Sequence, residues 1–232
     1  GVAVSRWSTS AAFADYDNAG WVDLFVPNDV DFGMDNNKWC GDPVRKIRAY
    51  CHPDSYDGLP DTLFHNNRNG TFGLVTRKAG LVEPWGKGLG AVWSDFDLDG
   101  DVDLYVAKDA VPHAMYRNDG RGTFTDVTLE SNTGYSEDGK PESGMGTDAG
   151  DFDGDGLFDL ISCHLSGEVN ELWRNLGNMR FEHITYPSGF GEISLPFVGF
   201  GANFFDYDND GDQDIFVANG HIIDNIARFN DS

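Results

Sequence analysis

Four short apolar runs punctuate the chain: Leu-Phe-Val at 24–26, Leu-Tyr-Val at 104–106, Leu-Ile-Ser at 160–162 and Ile-Phe-Val at 215–217. Each is rich in strand-forming residues and soon meets a turn signal, which predicts a buried strand rather than a helix. A nine-residue polar stretch precedes each run. A row of small residues precedes that in turn, at 8–13, 88–93, 144–147 and 199–204, and predicts a second strand. The first three units continue with a third strand at 63–66, 115–118 and 172–175 and a fourth at 71–75, 123–127 and 180–184. Between these two strands stand Asn69-Gly, Asp119-Gly and Gly177-Asn, and Asn-Gly or Asp-Gly between strands marks a hairpin.

The polar stretches begin at Asp15, Asp95, Asp151 and Asp206, so the repeat interval is 80, then 56, then 55 residues. An insertion of about 25 residues in the first unit accounts for the longer interval. Four antiparallel strands in about 55 residues is the content of one propeller blade. The expected fold is therefore all-β, a segment of a larger β-propeller built from four-stranded antiparallel blades. The blades fall at roughly 1–80 (with the insertion at 31–60), 81–134, 135–189 and an incomplete 190–232. Three and a half blades do not close a usual ring, so further blades are expected on one or both sides. Small residues in the first strand fit a crowded innermost position.

The polar stretches read as calcium loops. Asp151, Asp153, Asp155 and Asp159 stand at positions 1, 3, 5 and 9, with a carbonyl available at Leu157 and a glycine at position 6. A flexible hard cation takes six to eight oxygens, and a tight turn can bring these groups around one point. The same pattern places Asp95, Asp97, Asp99 and Asp103 in one loop, with Asp101 at the carbonyl position. It places Asp206, Asp208, Asp210 and Asp214 in another, with Asp212 at the carbonyl position. The first loop keeps Asp15, Asp17 and Asp23 with the Trp21 carbonyl, but Ala19 stands at position 5. Three strong Ca²⁺ sites and one weaker one are expected. An EF-hand is excluded, because position 12 is Val26, Val106, Ser162 or Val217 rather than a bidentate Glu.

Charge follows from these loops. The 232 residues carry a net charge of −23, of which fifteen carboxylates are loop ligands, and four bound Ca²⁺ would bring the sum to about −15. A 40% hydrophobic and 13% aromatic content argues for a packed core despite the acidity. Sixteen scattered Lys and Arg make nucleic acid a poor partner. There is no apolar run long enough to span a membrane. The first residues already sit in repeat register, so any leader peptide is expected upstream of them.

The 31–60 insertion holds Cys40 and Cys51, for which a disulfide is expected, with two free thiols as the alternative. Cys163 follows a strand and reads as a buried, inert thiol. Residues at the ends of the second strands, Asn28, Asp29, Lys108, Asp109, His164, Asn219 and His221, converge on one face near a propeller axis. His164, His221, Asp29 and Asp109 could there form a metal or acid–base cluster, or they could simply cap strands. His52, His65, His113 and His183 lack ligand spacing and read as surface or packing residues. Asn69-Gly-Thr71 and Asn230-Asp-Ser232 fit the N-glycosylation pattern.

Taken together, the unit resembles the FG-GAP/VCBS repeat of integrin α-subunit propellers. The stretch from Phe204 to His221 is most similar to the cartilage acidic protein (ASPIC/UnbV) group. The resemblance implies a secreted, extracellular or periplasmic calcium-binding propeller acting in adhesion, in contacts with protein or glycan, or in self-assembly. The alternative it leaves open is a propeller that houses or flanks a hydrolase or lyase site on its axial face. An ASPIC/UnbV-type C-terminal domain is not found in these residues.

Overall fold

The computed structural model describes residues 1–82 and 85–222. The first sheet orders β1 (Ala12–Ala14), β2 (Asp23–Val26), β5 (Thr62–Asn66) and β6 (Phe72–Leu74), with β3 (Cys40–Asp42) and β4 (Ile47–Ala49) forming a separate hairpin in the insertion. The second sheet contains β7 (Gly88–Ser94), β8 (Asp103–Lys108), β9 (Ala114–Asn118) and β10 (Phe124–Asp126). The third contains β11 (Thr147–Gly150), β12 (Asp159–Ser162), β13 (Glu171–Asn175) and β14 (Phe181–His183). Last comes the pair β15 (Val198–Phe205) and β16 (Asp214–Gly220). All named pairings are antiparallel, and the sheets do not close into a ring. This is a β-propeller segment. Residues 223–232, including Asn230-Asp-Ser232, lie outside the described residues.

The second and third sheets are buried on both faces, which is why their second strands read as apolar runs rather than alternations. Leu104 and Val106 of β8 pack against Phe25 and Leu63 of the first sheet. Their neighbours Tyr105 and Ala107 point the other way, onto Leu160 and Trp173 of the third. Ile161, one residue on from Leu160, packs against Ala202 and Ile215 of the last pair. Burying two such faces of a strand stabilises by roughly 1.5–3 kcal/mol per large side chain.

The innermost strands stand side by side: β1 next to β7, β7 next to β11, and β11 next to β15. Glycine is required there. A Cβ on Gly90 would collide with the Met145 carbonyl, and one on Gly146 with the Gly201 backbone. Thr9 Oγ1 donates to the Gly88 carbonyl at 2.8 Å and Ser10 Oγ to the Leu89 carbonyl at 2.7 Å, stitching first sheet to second. The third unit's first strand begins at Thr147 rather than 144, because Met145 and Gly146 bond to Cys163 outside the regular ladder.

In the insertion, Cys40 and Cys51 form a disulfide that closes the β3–β4 hairpin. Phe32 packs edge-on between Trp7 and Tyr56, at 4.6 and 5.6 Å. Asp54 bonds to Lys87 Nζ at 2.5 Å, fixing the insertion to the start of the second sheet.

Candidate metal loops and the axial face

All four polar loops join the first two strands of a sheet, and they share one backbone design. The Asp at position 1 accepts two N–H groups of its own loop, from positions 5 and 6: Ala19 and Gly20 to Asp15, Asp99 and Gly100 to Asp95, Asp155 and Gly156 to Asp151, Asp210 and Gly211 to Asp206. Position 6 is a left-handed glycine in every loop, with φ from 81° to 99°. Position 4 is left-handed too: Asn18, Leu98, Gly154 and Asn209 have φ of 53°, 59°, 72° and 63°. These two turns let side chains of positions 1, 3 and 5 or 9 face one point.

The inward carboxylates converge. One oxygen from each of Asp95, Asp97 and Asp99 lies within 4.8 Å of the others, as do those of Asp151, Asp153 and Asp159, and of Asp206, Asp208 and Asp210. Asp103 and Asp159 at position 9 are fully buried. Burial pushes both up to about 7, although N–H groups of Asn118 and Phe96, or of Asn175 and Phe152, pull the other way. Asp97 is raised by burial and by Asp99 and Asp95, and its Oδ1 is without a hydrogen-bond partner. Convergent hard oxygens, held close at an electrostatic cost, fit Ca²⁺. Asp101 at position 7 turns its carboxylate away, accepting from Asn18 Nδ2 at 2.5 Å.

The first loop departs from this design. Its convergent group is Asp17, Asp23 and His65. His65 Nδ1 lies 3.2 Å from Asp23 Oδ1 and 3.5 Å from Asp17 Oδ2. His65 therefore belongs to a candidate site, contrary to its reading as a surface or packing residue. No spacing in the sequence reveals this, because 42 residues separate Asp23 from His65 and only the β2–β5 pairing sets them opposite each other.

The Asn that ends each third strand binds a loop. Asn118 Nδ2 donates to the Val102 carbonyl in its own sheet's loop at 3.0 Å and to the Tyr16 carbonyl of the preceding loop at 2.7 Å. Asn175 Nδ2 repeats this with Phe158 at 2.9 Å and Phe96 at 2.8 Å. Its backbone N–H also donates to Asp159, as that of Asn118 does to Asp103 and that of Asn66 to Asp23. A side chain that orders one loop thus grips its neighbour as well.

On the axial face the proposed His164, His221, Asp29 and Asp109 cluster does not form. Asp29 does feel Asp109; burial first, and then that neighbouring charge, raise it to about 6. His221 is exposed, as is Asn219. Fully buried His164 instead meets His113, Nε2 to Nε2 at 3.2 Å, with Glu171 close by. His113 Nδ1 accepts the Lys108 N–H at 3.0 Å, so its proton sits on Nε2 and is donated to His164. The Nδ1 role is structural: Asp61 and Asn170 accept the N–H of Asn28 and His164 at the same place in the first and third sheets. Burial holds both rings well below the ordinary imidazole range. His183 packs on Trp173, accepting from its Nε1 at 3.2 Å, and His52 lies exposed beside Asp54. Burial pushes the free thiol of Cys163 up to about 12.

The FG-GAP-like repeat family matches residues 95–162 and 151–217. Cartilage acidic protein 1 of Mus musculus is 28% identical over 168 residues, covering 69% of this chain and 25% of that protein. Cartilage acidic protein 1 of Homo sapiens is 27% identical over 168 residues, covering 69% and 24%. The matched part of the chain therefore spans about a quarter of these relatives. Among solved structures, the exotype rhamnogalacturonan lyase YesX aligns at a TM-score of 0.53 and 14% identity, over 91% of this chain and 38% of that one. An N-acetylglucosamine-recognising Agrocybe aegerita lectin aligns at 0.46 and 16%, over 90% and 46%.

Proposed function

Because this chain belongs to the FG-GAP-like repeat family, we propose that it is a calcium-binding propeller module of a secreted protein, serving as a scaffold for contact with protein or glycan or for self-assembly. The observation that carries this reading is the convergence of aspartate oxygens in repeated loops, with Asp103 and Asp159 buried at their base. Calcium would hold these acids ionised and tie the first two strands of each blade together. Asp95, Asp97, Asp99 and Asp103, Asp151, Asp153, Asp155 and Asp159, and Asp206, Asp208, Asp210 and Asp214 supply the carboxylates, and Asp101, Leu157 and Asp212 the carbonyls.

The Cys40–Cys51 disulfide supports an oxidising, extracellular or periplasmic location. No helix among the described residues is long and apolar enough to cross a membrane. His164 is fully buried, so a hydrolase or lyase centre on the axial face that used it would be closed to substrate. The scaffold reading is tested by screening the chain against immobilised extracellular proteins and glycans, with Ca²⁺ and with chelator. Calcium-dependent capture is expected; the same result in both conditions overturns the reading.

A further inference from the structure

Among the described residues, the first loop carries a chemistry that the second and third lack. Residues 65, 117 and 174 lie across the ladder from the position-9 aspartates Asp23, Asp103 and Asp159, one step beyond the pairs Leu24 with Phe64, Leu104 with Tyr116 and Leu160 with Trp173. Two of the three are arginines, which cannot ligate a cation, and Arg174 turns away to Glu182 at 2.6 Å. The third is His65, whose imidazole can.

Each of the three residues has an atom without a hydrogen-bond partner, although Asp23 Oδ1, the oxygen nearest His65, accepts the Asn66 N–H at 2.6 Å. Asp23 is 1% exposed, and its Oδ2 has no hydrogen-bond partner; nor do Asp17 Oδ1 and His65 Nδ1. In the second and third loops the position-9 carboxylates have both oxygens bonded, Asp103 to Asn118 and Phe96, Asp159 to Asn175 and Phe152. His65 Nδ1 stands 3.2 and 3.5 Å from the two carboxylates without hydrogen-bond geometry. Adjacent ligands on an ion with bonds of about 2.0–2.2 Å lie about 3 Å apart, so the spacing suits a shared metal. The same loop has lost a calcium ligand at Ala19. Imidazole with carboxylate suits Zn²⁺ and other first-row ions, whereas Ca²⁺ takes oxygen alone.

We propose that Asp17, Asp23 and His65 form a site for a first-row divalent metal, Zn²⁺ being the ion of choice, set beside the calcium loops rather than repeating them. This deepens the metal-loop reading at one position, and the calcium content of the other loops is measured separately. Elsewhere among the described residues imidazole also stands near carboxylate, at the His52–Asp54 pair and in the buried His113, His164 and Glu171 group, and these could compete for Zn²⁺.

The test is equilibrium dialysis of the full chain against Zn²⁺ in excess Ca²⁺, followed by elemental analysis of both metals. Wild type is expected to retain one equivalent of Zn²⁺. His65→Arg, which installs the residue used in the next two sheets, and His65→Gln should both lose it while keeping wild-type Ca²⁺ content and a cooperative melt. Wild type retaining no Zn²⁺ against Ca²⁺ overturns the proposal, as does Zn²⁺ retention that neither variant reduces. Failure of the calcium reading would appear separately, as low Ca²⁺ in all three proteins.

Discussion

Asn118 reaches back from β9 to the Tyr16 carbonyl of the preceding loop, 2.7 Å away, and so couples the geometry of one candidate metal loop to the seating of the next blade. Asn175 holds Phe96 in the same way. The relation is directional along the chain, the second and third blades each gripping the loop before it. Loop ordering and blade stacking are therefore one cooperative event, as expected for repeats that cannot bury their faces alone.

Asn118→Ala and Asn175→Ala each leave two carbonyls without their donor, one of them buried, and should destabilise by roughly 2 kcal/mol. Asn66 Nδ2 reaches only the exposed Val22 carbonyl, so Asn66→Ala should cost less than about 1 kcal/mol. Denaturant unfolding checks the ranking; equal losses at all three would remove the inter-blade role.

The His113 to His164 bond is a second tie between blades. His113→Asn keeps the acceptor that Asn170 provides in the next sheet but withdraws the proton from His164. Both rings have folded pKa values below the ordinary one, so the stability that depends on them is present above about pH 6.5 and is lost as pH falls. The variant should be less stable than wild type at pH 8, and the gap should narrow at pH 5. Chemical denaturation at the two values decides it, and a constant gap contradicts the neutral pair.

The blade repeat was legible because it is local: in the second and third units the Asp spacing, the apolar run and the turn dipeptide lie between Asp95 and Gly120 and between Asp151 and Asn178. The Cys40–Cys51 pairing was legible because the insertion isolates two cysteines. The roles of His65 and His113 were not, since each depends on a partner brought near by packing: Asp23 across β2 and β5, and His164 across two sheets. The left-handed fourth loop position was half visible, in Asn18, Gly154 and Asn209, and hidden by Leu98. Innermost strands match their expected bounds within one residue in the second and fourth units but begin late in the first and third, at Ala12 and Thr147.

Acid should weaken calcium binding. Asp103 and Asp159 are raised to about 7 by burial, so without metal the fold gains stability as pH falls from about 7 toward the unfolded carboxylate range, and calcium must displace those protons. The rise in melting temperature on adding Ca²⁺ should shrink from pH 8 to pH 6. A rise that is larger at pH 6 contradicts the assignment of these two acids as ligands.

Ala19 leaves the first loop with three carboxylates against four in each of the others. Ligand charge tunes calcium affinity, and Asn18 is spent on Asp101, so it does not compensate. In Zn²⁺-free buffer, Ala19→Asp should add a calcium equivalent, or tighten the weakest one by about tenfold or more, and raise calcium-dependent thermal stability. Isothermal titration showing the wild-type first loop filling ahead of the rest would mean that ligand count does not rank these sites.

If bound calcium holds the blade hairpins, calcium content and thermal unfolding of the same sample should change together on exhaustive chelation. At least three Ca²⁺ per chain, a large fall in melting temperature on chelation, and recovery on adding Ca²⁺ back are expected. A chain that carries no calcium, or that melts at the same temperature with and without it, contradicts a calcium-held hairpin.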